Sequence, residues 1–308
     1  MLLEGKALQV ICLTTTGALT AVIIGSALTP IFFVFLEQYS EQILYSTPFV
    51  LILSLVVLIN SEGNTKKKLL ALFVVIAAAT QGFLFKDQIF PLITGYFGVA
   101  GTLYSLKEKT FSIKQETEAT INPKIILDAL VGIIGGAIVS IMPGIGSNTA
   151  GGIINAFRKT KNSEQYLAML GAINASNFFF SYTMLFTLGK SRNGTMLALS
   201  DKIFQTPEML TSGTIIMLLS AGIGGIATIS LSKIAVKLIE EKITKKLSIG
   251  AIIFMILLVA LFGGPIGLIA LFFSTALGLF VLTNQIKRSL CMASLIVPVL
   301  FFYLFILL

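Results

Sequence analysis

Residues 125–157 form one apolar run, but Pro143-Gly144-Ile145-Gly146 interrupts it near the middle and Ser147-Asn148-Thr149 follow at once. Proline removes a backbone donor, and glycine loosens a helix. Backbone groups freed inside hydrocarbon persist only where protein or a water-filled cavity surrounds them. A broken helix with short polar side chains at membrane depth is the way many secondary transporters assemble a substrate and ion site. The alternative for the same residues is a plain helix kink.

The surrounding chain fits a membrane setting. It has 308 residues, 56% of them hydrophobic and only 12% charged, where a soluble chain carries about 25% charge. The net charge of +8 sits in short basic clusters between apolar runs. It therefore reads as loop charge, and nucleic acid is not expected as a partner. The two cysteines, Cys12 and Cys291, lie in apolar segments and there is no histidine. Neither a disulfide framework nor a metal site is expected, and the usual proton shuttle is missing.

Spans of about 20 apolar residues are read at 8–36, 45–60, 69–85, 90–106, 166–188, 209–231, 249–262, 265–283 and 290–308. The expected fold is all-α and polytopic, with about nine transmembrane helices plus the broken 125–157 segment. Three parts follow along the chain: N-terminal membrane helices over 1–106, a hydrophilic cytoplasmic linker over 107–124, and a second membrane half over 125–308. Residues 231–247 alternate lysine and glutamate with Ile234, Val236, Leu238 and Ile239, the pattern of a helix leaving the bilayer along its surface.

Loop charge decides how 125–157 runs. If the segment simply crosses, the 22 Lys and Arg residues divide evenly between the two sides. If it enters and returns as a re-entrant hairpin, eighteen lie on one side and only Lys86, Lys190, Arg192 and Lys202 on the other. The positive-inside rule selects the hairpin, with both arms opening to the cytoplasm and Pro143–Thr149 at its tip.

The polar groups within spans are amides and hydroxyls. Ser147, Asn148 and Thr149 are joined by Asn174, Ser176 and Asn177 on the next helix, with Ser181 one turn further. With unwound carbonyls such groups suit Na⁺, and helix N-termini suit a carboxylate. No catalytic residue is expected, since no nucleophile–base pair or carboxylate pair lies at depth. Asn174, Ser176 and Asn177 have a second reading as glue between helices, and Gly132/Gly136 is an ordinary small-residue packing pair. Lys190, Arg192 and Asn193 form either a plain outside turn or the entrance to the site, attracting an anion.

From about Val131 to Ile203 the order of features resembles the large membrane subunit of tripartite tricarboxylate transporters, closest to the shorter archaeal-type branch. The features are Gly135-Gly136, Pro143-Gly144-Ile145-Gly146, Gly151-Gly152, the basic loop at 158–161, Gly171 to Asn177, and Leu188-Gly189. Bacterial members carry an acidic residue and paired Asn where this chain has Asn174-Ala175-Ser176-Asn177, and Pro-Gly-Ser where it has Ser191-Arg192-Asn193. The family resembles two related halves, each with its own Pro-Gly turn. Only one such turn is seen here, so the resemblance implies that part of the first half is missing.

The resulting expectation is a permease of the cell membrane for a small organic anion, a carboxylate, coupled to an ion with Na⁺ favoured. Substrate and ion would be held by Pro143, Gly144, Gly146, Ser147, Asn148, Thr149, Asn174, Ser176 and Asn177. The family implies a small membrane subunit and a solute-binding protein as partners, and no cofactor beyond Na⁺. The rivals are a non-transporting membrane scaffold or transporter remnant and, with the fewest supporting residues, an intramembrane enzyme.

Overall fold

The computed structural model describes residues 1, 4–107, 115–116, 118–141, 146–158, 162–189, 195–196, 199, 206–238 and 241–307. Among them no strand occurs. The helices are α1 (Ala7–Asn60), α2 (Thr65–Leu84), α3 (Ile89–Ile93), α4 (Ala100–Lys107), α5 (Ile125–Ile141), α6 (Ser147–Arg158), α7 (Ser163–Leu188), α8 (Pro207–Leu238), α9 (Glu241–Thr283) and α10 (Ala293–Leu307). A π-helical turn, Thr94–Val99, joins α3 to α4, and a 3₁₀ turn, Arg288–Met292, leads into α10. Five stretches are long and apolar enough to cross a membrane: Ala7–Ile43, Thr65–Leu84, Ile89–Lys107, Glu208–Val236 and Lys245–Thr283. Shorter apolar helices accompany them at Tyr45–Asn60, Ile125–Ile141 and Arg288–Leu304. The chain is an all-α polytopic membrane protein. Its outward faces carry large apolar side chains, such as Ile215, Ile216, Leu219, Ile223 and Ile226 along α8, which suit lipid rather than water.

Packing groups the helices into two interleaved compact units, one made of Met1–Tyr45 with Ile113–Leu238, the other of Ser46–Ser112 with Ile239–Leu308. The division into 1–106, 107–124 and 125–308 follows hydrophilicity along the chain, whereas the units follow contact in space.

In the first unit, Ala21, Phe32 and Leu36 of α1 pack with Ala129 and Ile133 of α5 and with Ala172, Phe180 and Met184 of α7. α1 and α7 touch backbone to backbone. A Cβ on Gly17 would fall on the Ala168 carbonyl, and one on Gly171 on the Thr14 carbonyl. Asn162 caps α7, its side chain accepting from the Glu164 N–H at 2.9 Å, and Gly189 ends it in the left-handed conformation at φ 62°. The end of the hydrophilic linker is held down. Thr120 N–H donates to Gln9 Oε1 at 2.7 Å, Gln9 Nε2 donates to the Thr120 carbonyl, and Ala7 N–H donates to Gln115 Oε1 at 3.1 Å. Gln9 thus supplies α1 with an amide that pairs with the linker backbone as another strand would.

In the second unit, α9 doubles back. As a straight helix its 39-residue apolar stretch would be about 58 Å long, far more than the ~30 Å of hydrocarbon. Gly264, at φ 59° and ψ −157°, interrupts it just before Pro265, a conformation essentially confined to glycine. Both arms then run beside the helix formed by α3, the π turn and α4. Gly263 and Gly267 both approach Gln88 and Pro91. Further along, Gly98 lies against Met255 of the first arm, while Gly95 meets Ser274 and Gly278 meets Tyr96 and Ala100 on the second. Val99 packs with Val259 and Leu271, one from each arm. Residues 249–262 and 265–283, read as separate spans, are the two arms.

Candidate functional site

The segment 125–157 also doubles back. Gly132 of α5 lies against Met169 and Ala172 of α7, and Gly136 against Ile173, Ser176 and Asn177. Rising numbers on both helices make α5 and α7 parallel. α6 returns between their levels: Gly135 meets Ile154, and Gly151 meets Leu170 and Ile173. Val139, Ala150, Met169 and Ile173 form the shared core of the three helices. At the open end Arg158 Nη1 donates to Asp128 Oδ1 at 2.7 Å. This pair ties the last residue of α6 to the first turn of α5. Asp128 is 1% exposed, so its charge is held inside protein and matched there. Among the described residues its Oδ2 has no hydrogen-bond partner, nor has Asn155 Oδ1 one turn before Arg158.

The sequence reading gave Arg158 only as part of the basic loop at 158–161 and did not join it to Asp128. The signal was present: they lie at nearly equal distances either side of Gly144, so folding the run at its tip brings them level.

α5 has 17 residues, which rise about 26 Å, most of the depth of a hydrocarbon core. The tip begins where α6 starts. Gly146 and Asn148 are exposed and Ser147 is half-buried. Together they sit at a helix N-terminus, where free N–H groups and the helix dipole favour an anion. Pro143 and Gly144 lie outside the described residues, as do Lys190, Arg192 and Asn193, and nothing is described of the Thr149 side chain. Because α6 runs antiparallel to α7 with Gly151 beside Ile173, Ser147 and Asn148 come level with the turn of α7 that carries Asn174 to Asn177.

Those three residues of α7 do not converge. Ser176 is buried, its Oγ donating to the Ala172 carbonyl at 2.6 Å, and a Cβ on Gly136 would fall on that hydroxyl. It serves the close approach of α5. Asn177 is half-buried and its Oδ1 accepts from Ser181 Oγ at 3.4 Å. Asn174 is exposed and opens on another side, into a cavity of about 690 Å³ shared with Thr14, Ala18, Phe178, Ser220 and Gly224. Gly132 and Gly136 act as close-packing residues, the role small residues take between membrane helices.

A polytopic helical protein whose central run doubles back, with a polar tip at a helix N-terminus, shares the build of many membrane transport proteins. The chain matches the tripartite tricarboxylate transporter TctA family over residues 1–293 and belongs to it. It is the membrane component of a tripartite tricarboxylate transporter, and its family is one of transporters, not of enzymes. The match runs far beyond residues 131–203, where the resemblance was read. No curated protein and no solved structure matches the chain.

Proposed function

We propose that the chain is a cell-membrane permease that carries a small organic anion, a carboxylate, by ion-coupled secondary transport, with the α5–α6 tip as the substrate site. The observation that carries the reading is the pair of half-buried Ser147 and exposed Asn148 at the N-terminus of α6, at the far end of the hairpin from the Arg158–Asp128 pair. Pro143, Gly144, Gly146 and Thr149 complete the tip, Asn177 is the residue of the adjoining α7 turn that would assist it, with Ser176 holding α5 in place and Asn174 turned to another cavity, and Lys190, Arg192 and Asn193 form the entrance. The hairpin is re-entrant and opens to the cytoplasm. A small membrane subunit and a solute-binding protein complete the tripartite system, the latter delivering substrate. Na⁺ is the coupling ion: the tip offers carbonyls, an amide and hydroxyls, which are hard oxygen ligands, and the one carboxylate in the hairpin arms, Asp128, is already engaged by Arg158.

Uptake into vesicles tests the reading. Asn148→Ala should leave a folded protein whose affinity falls about ten- to a hundred-fold, the effect of losing one hydrogen bond of about 1.5–3 kcal/mol to a charged ligand. Native uptake should require Na⁺. Unchanged affinity in the variant would reduce the tip to a kink, and full activity in Na⁺-free buffer that collapses with a protonophore would reassign the coupling ion to H⁺.

Topology is tested separately by labelling. Cys12 and Cys291 are both buried, so an introduced cysteine reacts against a low background. Ser163 and Thr195 are both exposed. A membrane-impermeant thiol reagent added to intact cells should modify Thr195→Cys and spare Ser163→Cys. Outside labelling at Ser163 would mean that the segment crosses.

A further inference from the structure

A second cavity in the first unit, of about 660 Å³, lies between α1, the end of α7 and the start of α8. Five of the hydroxyls in its lining share one property. Ser26 Oγ donates to the Ile23 carbonyl at 2.8 Å, and Thr29 Oγ1 to Gly25 at 3.1 Å. Ser40 Oγ donates to Glu37 at 3.3 Å, Thr187 Oγ1 to Thr183 at 2.9 Å, and Thr214 Oγ1 to Leu210 at 2.8 Å. A hydroxyl has one hydrogen and two lone pairs. Each of these five has committed its hydrogen to its own helix, so what it offers the cavity is lone pairs. Pro30, also in the lining, has no N–H, which leaves the Ser26 carbonyl one turn earlier without its helical donor. Glu37 adds a carboxylate. Among the described residues the lining contains no Lys, Arg, Asn, Gln or Tyr side chain, and no ion pair neutralises Glu37. The cavity beside Asn174 differs, because that amide supplies two N–H donors.

We propose that this cleft binds a small monovalent cation, with Glu37 as its charged ligand and the hydroxyl and carbonyl lone pairs of α1, α7 and α8 around it. A lining in which five hydroxyls offer lone pairs and one carboxylate adds negative charge repels an organic anion and attracts a hard cation, which takes oxygen ligands. The volume leaves room for bound water as well. The site lies apart from the hairpin tip, and the inference stands whether or not the tip binds substrate.

The chain has no tryptophan, so a single introduced indole is the sole strong emitter. Phe33 lines the cleft on α1 and Phe186 on α7, which gives two independent reporters, Phe33→Trp and Phe186→Trp. The purified full chain is titrated with NaCl against choline chloride at constant ionic strength, with no substrate present. The expected result is a saturable fluorescence change with Na⁺ and none with choline. It should disappear when Glu37→Gln is added, and its midpoint should move up about ten-fold with Thr214→Val, which removes lone pairs while keeping shape. Circular dichroism and melting establish that the variants remain folded. No saturable response in either reporter overturns the proposal. So does an equal response to choline, or a response that survives Glu37→Gln in a folded protein.

Discussion

Arg158→Ala should destabilise the protein by about 3–5 kcal/mol, the usual effect of removing one partner of a buried ion pair. An exposed pair would contribute about 0–1 kcal/mol, so the size of the loss separates the two cases. The prediction rests on asymmetry. The Asp128 side chain is 2% exposed and that of Arg158 is 35% exposed. Without Arg158 the carboxylate is left charged inside protein, whereas without Asp128 the guanidinium still reaches solvent. Asp128→Asn alone should therefore cost clearly less, and Arg158→Ala with Asp128→Asn should recover much of what the first change loses. Thermal or denaturant unfolding of the detergent-solubilised protein measures all three. Arg158→Ala as stable as the native chain would mean that the two ends of the hairpin are not joined in this way.

Gly171→Leu should be nearly as damaging, at about 3 kcal/mol, the upper end for overpacking. The reason is what the added carbon meets. At Gly171 and at Gly17 it meets a backbone carbonyl of the facing helix, Thr14 and Ala168 respectively. A backbone cannot swing aside as a side chain does, so α1 and α7 would have to separate along the seam that carries Ala21, Phe32 and Phe180. Gly222→Ala on α8 is the matched control. A Cβ there meets nothing within 4 Å, and alanine should be neutral or stabilising by up to about 1 kcal/mol through helix propensity. Loss of folded protein with Gly171→Leu and none with Gly222→Ala is the expected pattern. Equal tolerance at both sites would show that α1 and α7 do not meet there.

How far the sequence carried depends on the range of the interaction concerned. Apolar length identified the helices, and the Gly-Gly-Pro at 263–265 divided 249–262 from 265–283 where α9 turns. The break marked by Pro143-Gly144-Ile145-Gly146 separates α5 from α6, which packs back against α5 and α7. What was not legible depended on helix rotation and on contacts far apart in the chain. Asn174 and Asn177 were placed on one face by spacing alone, but the seat of α5 at Gly136 sets the rotation of α7, and that rotation sends Asn174 toward another cavity. Gln9 and Thr120 are 111 residues apart, and no local pattern announces their pairing. The span read at 8–36 stops just before Glu37, whereas the helix runs on through polar residues to the kink at Tyr39, and Glu37 sits on that extension beside a cleft.

The turn at Gly264 bears on how the chain enters a bilayer. Its two arms are joined with no hydrophilic linker, and the nearest charges, Lys245 and Lys246 before them and Lys287 and Arg288 after, lie at the open ends. Delivering such a pair moves no ion and no polar loop through hydrocarbon, a transfer that is costly for each charge. Each arm of about 19 residues matches the thickness it has to cross. The turn's own unpaired backbone groups remain, and glycine and proline keep them few. Residues 245–283 are thus suited to slipping in as one folded wedge, with the flanking basic residues Lys245, Lys246, Lys287 and Arg288 left together at its open end.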